Sequence, residues 1–254
     1  MLNLWTRPAQ ALALLATGLV TLLVSPIVAK DPLPTGTASK LIAADIEFLQ
    51  KGFEKTPTAK GFITGLKSAA MLLALNAQNN LDGPDGAKMA AIRDTALKIA
   101  GALEAGKVAD AKKAVETLAT ASGGDPKKTI KLAEQHNFSL DEAMKVLGPA
   151  ISGGMNIEND LKPKDVDKTI KDLKKVELYG ARIALVGQYS LDLPSNEAVG
   201  EKKKKWDEWS KEMTTLGMAM AEAAKADKPD LVGLKKKIAT LNKNCADCHN
   251  VFRK

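Results

Sequence analysis

The sequence predicts an all-α protein built as two tandem antiparallel four-helix bundles. Three observations point there. Aromatic residues are only 4% of the chain, and Ala, Leu and Lys abound while β-branched runs are scarce, a balance that favours helix over strand. Apolar residues recur at helical spacing in one segment after another, separated by short connections rich in Gly and Pro. The second half also repeats the order of segments seen in the first.

Residues 1–29 have the layout of a signal peptide. Arg7 is their only charge, an apolar segment spans 11–24, and Pro26 and Ala29 stand just before Lys30 and Asp31. That apolar segment is short for a membrane span, which needs about 20 residues. Ile27 is a less usual residue at the −3 position, so retention as an uncleaved anchor stays open. Cleavage after Ala29 removes one cation and no acid, and leaves no expected membrane span. The protein is therefore expected to be exported, in a bacterium to the periplasm. Residues 30–37, rich in Pro and Gly, read as a flexible leader.

Residues 38–124 form the first expected bundle. Leu41, Ile42, Ile46, Leu49 and Phe53 define a helix over 38–53. Thr56 and Pro57 read as the N-cap and first-turn proline of a second helix, which continues through Leu66, Leu73 and Ala77. A third covers about 86–105 and a fourth 108–121, closed by Gly123 and Gly124. Residues 125–138 are a linker, in which His136 is expected to be exposed or a local cap.

Residues 139–254 form the second. Ser139 and Glu142 have the spacing of a capping box opening a helix that Gly153 and Gly154 stop. Longer helices are expected over 165–190 and 197–224, and a last one from Pro229 to the end of the chain. Gln78, Leu81, Asp82 and Pro84 recur in the same pattern as Gln188, Leu191, Asp192 and Pro194. Leu118-Ala119-Thr120 faces Ile238-Ala239-Thr240, with an insertion near 200–205 accounting for the changed spacing. Repeats of this length are duplicated domains rather than solenoid units.

The final residues carry the chemistry. Cys245, Cys248 and His249 are both cysteines of the chain and one of its two histidines, in the order C-x-x-C-H. This is the attachment signal for a c-type haem. On a helix the three positions share one face, so two thioethers and an iron-ligating imidazole are available together. Other uses of the motif fit less well. A thiol redox pair belongs where a strand enters a helix, and no strand is expected. A zinc site needs a fourth strong ligand, and the only other histidine, His136, lies far away in sequence, although Asp or Glu could serve. A disulfide across two residues closes too short a loop to contribute much. In the first half, the corresponding residues are Asp125, Lys128 and Thr129. One covalent haem c is therefore expected, and the first bundle is expected to be haem-free.

The formal charge of +7 admits nucleic acid, an anionic membrane or an acidic protein as partner. No basic stripe with interleaved aromatics appears, which argues against nucleic acid. Lys202 to Lys205 is a four-lysine run, read as a solvated face or as a docking patch for an acidic redox partner.

The stretch Cys245-x-x-Cys248-His249-x-x-Phe252-Arg253, at the end of a fourth helix, resembles the class II c-type cytochromes, the cytochrome c′ family and its low-spin relatives. The resemblance covers about 139–254. It implies a four-helix bundle, proximal ligation by His249, and Arg253 near the iron-bound imidazole. It also places Met144, in Ala143-Met144-Lys145-Val146-Leu147-Gly148, on the distal side, as sixth ligand or as apolar shield. Met155, Met213, Met218 and Met220 are weaker candidates. The family often has an arginine four residues before the distal position, where this chain has Leu140. Trp206 or Trp209, early in the third helix, resembles a tryptophan found near the same place in the family, expected either to pack against the neighbouring helix or to flank the haem. The implied role is non-enzymatic electron transfer, with homodimer formation common among such bundles. The alternatives are a five-coordinate protein that binds small gases, and a helical scaffold without haem.

Overall fold

The computed structural model describes residues 33–34, 36–54, 56–193 and 197–252. The expected signal peptide and Arg253 lie outside the described residues. The described residues form ten α-helices and no strand. Among them, no helix is long and apolar enough to cross a membrane.

Four helices make the first half: α1 Thr37–Gly52, α2 Lys60–Gln78, α3 Gly86–Glu104 and α4 Val108–Thr117. Helix α4 continues as a 3₁₀ turn, Leu118–Thr120. Helix α2 is buried almost all round from Gly65 to Ala77, as befits a run of Ala, Leu and Met with no polar stripe. It begins three residues after the expected start, because Pro57 lies buried in an irregular stretch before it. Gly106, at φ +70°, turns α3 into α4, a conformation that glycine adopts without a Cβ penalty.

The second half departs more from expectation. The helix expected from Ser139 to the glycine pair is α5, Leu140–Lys145, followed by a 3₁₀ turn, Ala150–Ser152. Pro149 cannot donate to a helical ladder, and Gly153 stands at φ +78°. A Cβ on Gly154 would lie 2.3 Å from the Gly148 carbonyl oxygen, so the chain folds back tightly here. Ser139 caps α5 as expected, its Oγ accepting from the Glu142 amide at 3.3 Å. The reciprocal half of the box is missing, since the Ser139 amide donates to the Asn137 carbonyl. Two single turns follow, α6 Ile157–Asp160 and α7 Val166–Thr169. Val166 and Ile170, expected on a long helix, belong to α7 and its end. The long helix α8, Leu173–Asp192, starts where Asp172 Oδ1 accepts from the Lys175 amide at 3.0 Å. Helices α9, Glu201–Lys225, and α10, Leu231–Phe252, complete the chain.

Small residues let α8 and α9 cross nearly backbone to backbone. A Cβ on Gly180 would meet the Gly217 carbonyl oxygen at 2.5 Å, and one on Gly187 would meet Thr214 Oγ1 at 2.6 Å. The two halves share one buried cluster, running from Leu41 in α1 to Leu241 in α10. Asp45 of α1 and Arg182 of α8 form an ion pair inside it, both side chains at most 6% exposed. Nearby, Glu177 accepts from Thr37 Oγ1 and from Lys40 Nζ, each at 2.8 Å. Thr37, expected to close the flexible leader, is thus the buried first residue of α1.

The linker is irregular apart from a 3₁₀ turn at Leu132–Glu134. Arg93, wholly buried in α3, donates to the Lys128 carbonyl at 2.7 Å. The counterparts of the haem signal in the first half therefore sit in this pinned, non-helical stretch. His136 is neither exposed nor a cap. Its ring rests against Gly101, and Nδ1 lies 3.5 Å from Glu104 Oε2.

Candidate functional site

Helix α10 starts on Asp230, whose Oδ1 accepts from the Gly233 amide at 2.9 Å. Leu234, Ile238 and Leu241 form its buried stripe, and α9 is its main neighbour. The same stripe continues through Asn244 to Cys245, Cys248, His249 and Phe252. Past Leu241 it does not meet a closed core. It forms one wall of a partly open cleft of about 290 Å³.

Cys245, Cys248 and His249 line this cleft together. Leu140, Met144 and Leu147, from α5 and its end, line it as well. Ile157, Leu161 and Lys162 come from α6 and the turn after it, and Ile183 from α8. Trp206, Trp209 and Met213 of α9 complete the enclosure. Met144 and both tryptophans thus share a cleft with the cysteine-histidine signal. Met155 lines a separate groove with Phe48 and Arg182, and Met220 is wholly buried core.

Polar contacts hold the walls in place. Asn244 Nδ2 donates to Glu212 Oε2 at 2.7 Å, clamping α10 to α9 one residue before Cys245. Asn242 Nδ2 donates to the Leu161 carbonyl at 2.8 Å, tying the turn after α6 to the same helix. The Trp206 indole donates to the Ser190 carbonyl at 2.8 Å. Its ring meets Phe252 edge to face, centroids 4.9 Å apart, and Trp209 approaches the same ring at 6.0 Å.

Both cysteines are free. Burial pushes the Cys245 thiol up to about 11, with lesser contributions from Cys248 and Glu158. Burial also raises the Cys248 thiol. Both therefore stay protonated at neutral pH. That is unlike the lowered thiols of disulfide oxidoreductases. Among the described residues, no three His, Cys, Asp or Glu side chains are placed to hold a bare metal ion. The donor set fits haem c better. Two neutral thiols one turn apart and an adjacent imidazole face a roomy, largely apolar space with aromatic edges. Concave, mostly apolar clefts with a few polar groups are where small molecules and cofactors bind.

Lys162, Glu158, Asn242, Asn244 and Met213 are cleft or support residues that the sequence reading left unassigned or ranked low. Met213 and Asn244 carry a signal in hindsight, being buried positions in the stripes of α9 and α10. Lys162 carries none, because it follows a single helical turn. The lysine run lies in the first turns of α9, and three of its members have acidic neighbours. Lys202 pairs with Glu197 at 3.3 Å, Lys203 with Asp207 at 2.6 Å and Lys204 with Glu201 at 2.8 Å.

Compared with known protein families, with curated proteins and with solved structures, the chain matches none.

Proposed function

We propose that this protein is an exported, mono-haem c-type electron carrier whose second half holds the haem. The observation that carries the reading is the cleft itself. Cys245, Cys248 and His249 line a largely apolar space together with Met144. The bound haem would supply a one-electron Fe(III)/Fe(II) couple. The two cysteines would hold it by adding their thiols across its vinyl groups, and His249 would present an imidazole to the iron. Met144 is the proposed distal group. Trp209 and Trp206 would border the ring system, and the apolar walls would keep water from it.

Other parts of the reading are proposals on the same footing. The signal-like residues 1–29 support export, since bacterial c-type haem is attached outside the cytoplasm. The helix order also supports a duplicated origin. Helices α2, α3 and α4 are followed by α8, α9 and α10 in the same sequence, while the counterpart of α1 at the spacing of the repeat is reduced to the 3₁₀ turn Ala150–Ser152 and α6. On this view the first half is a haem-free copy that buttresses the haem-holding half through their shared core. An acidic redox partner docking near the lysine run, and homodimer formation, remain part of the proposal.

The test is direct. Full-length protein is made in cells able to mature c-type cytochromes, then stained for haem after denaturing electrophoresis. Covalent haem in the native protein, lost in the Cys245→Ala/Cys248→Ala double variant, is the expected result. A colourless native band would overturn the reading in favour of a haem-free scaffold. The optical spectrum then separates the electron carrier from the gas binder. A low-spin ferrous spectrum supports the carrier, and a high-spin one that takes up CO supports the five-coordinate alternative.

A further inference from the structure

We infer that Lys162 is the cationic anchor for a haem propionate, an inference that rests on the haem reading above. A haem carries two carboxylates, and a largely apolar cleft must either turn both toward solvent or meet one with a cation. Helix α5 cannot supply that cation where an arginine would be expected, because position 140 is leucine and lines the cleft. Among the described lining residues, Lys162 is the only lysine or arginine.

Its placement is built rather than incidental. The preceding residue, Leu161, is 2% exposed, and its carbonyl is held by Asn242, three residues before Cys245. The backbone that carries Lys162 is thereby fixed relative to the thioether-forming cysteines. The side chain itself is exposed, as an anchor at the mouth of the cleft needs to be. Its ammonium donates to the neutral Asn159 amide oxygen at 2.8 Å. No carboxylate among the described residues lies within ion-pair distance of it, so its charge is uncommitted.

The one carboxylate lining the cleft, Glu158, strengthens the assignment. It lies four residues before Lys162 and close enough to raise the Cys245 thiol. A propionate is repelled by Glu158 and attracted by Lys162. The pair therefore selects one orientation of the haem edge, where a uniform rim would not.

The experiment is a redox titration of the full-length holoprotein across pH, followed by haem absorbance. It compares native protein with Lys162→Met, Lys162→Glu and Lys162→Arg, and uses Lys164→Met as a neighbouring exposed control. Thioether attachment keeps the haem in every variant, so the reading does not depend on retention. Lys162→Met is expected to lower the midpoint potential and to raise the pH at which the potential changes slope. Lys162→Glu should shift both further in the same directions, Lys162→Arg should match native protein, and Lys164→Met should move neither appreciably. Superimposable curves for all Lys162 variants, or an equal shift in Lys164→Met, would overturn the inference and leave the haem reading standing. Native protein without covalent haem would overturn both.

Discussion

Trp206 and Phe252 meet edge to face, ring centroids 4.9 Å apart and planes at 89°. The contact joins the first turns of α9 to the last turn of α10, three residues beyond His249. An edge-to-face aromatic pair contributes about 1 kcal/mol beyond the area it buries. The indole N–H is bonded to Ser190, so Trp206 is held from both sides. Phe252→Ala should therefore destabilise the fold by about 1–2 kcal/mol and let the end of α10 fray. Urea unfolding checks the first effect. Protection of the amides around His249 from hydrogen exchange checks the second.

Asp45 and Arg182 tie the two halves across their shared core. Burial pushes the Asp45 carboxyl up, and Arg182, through its charge and hydrogen bonds, opposes that rise. Removing one partner of such a pair leaves a buried charge without compensation, which costs about 3–5 kcal/mol. Asp45→Ala should fall in that range by urea unfolding. The double variant Asp45→Leu/Arg182→Met should recover most of the loss, because neither charge then remains. A double variant as unstable as Asp45→Ala would mean that the cost comes from packing rather than charge.

What was legible in the sequence follows the length of each signal. Helices α2, α9 and α10 carry several turns of apolar residues at helical spacing and lie near their expected positions, while α8 starts eight residues later than expected, at Leu173. The cysteine-histidine motif was legible because its chemistry is written in neighbouring residues. Residues 139–151 misled because their apolar spacing is helical, while Pro149, Gly148 and Gly154 favour a tight turn that tertiary packing completes. Asp45 left a readable trace, lying on the Leu41 and Leu49 stripe of α1, where an acid is out of place without a partner. Its partner was not readable, since nothing local ties position 45 to position 182. The cleft is of the same kind. Whether Met213 and Lys162 face it depends on how α9 crosses α8 and how α6 docks on α10.

Asp160 should make stability depend on pH at the acid end. Burial pushes its carboxyl up, but hydrogen bonds from Lys175 and Tyr179, the Lys175 charge and Asn156 outweigh burial. The net effect holds it below the ordinary carboxylate range. A carboxyl depressed by folding adds stability that is fully present above its unfolded pKa of about 3.9. That stability is lost as pH falls through the lower folded value. Asp160→Asn should therefore be less stable than native protein near neutrality and converge on it as pH falls through that lower folded value. Urea midpoints measured from pH 6 to pH 2 decide it. A constant gap across that range would assign the loss to packing alone.

The two methionines of the cleft yield the last prediction. Met144 and Met213 both line it, and on the proposed haem reading only one of the two sulfurs would serve as a ligand beside His249. Met213 is 6% exposed and sits in the middle of the 25-residue α9. There it is held by packing against neighbouring helices, and the α8 crossing leaves that part of α9 little freedom. Met144 is half-buried on the six-residue α5, which is followed by a proline-glycine turn and can adjust at smaller cost. A thioether on a short, adaptable element is better able to reach a metal than one locked in a core. Met144→Ala should therefore convert a low-spin ferrous spectrum to a high-spin one that takes up CO, with the covalent haem retained. Met213→Ala should stay low-spin and lose about 2–5 kcal/mol of stability as a core truncation. If Met213→Ala alone changes the spin state, the axial role belongs to α9. If native protein is already high-spin, Met144 is a shield over an open site and the gas-binding alternative takes precedence.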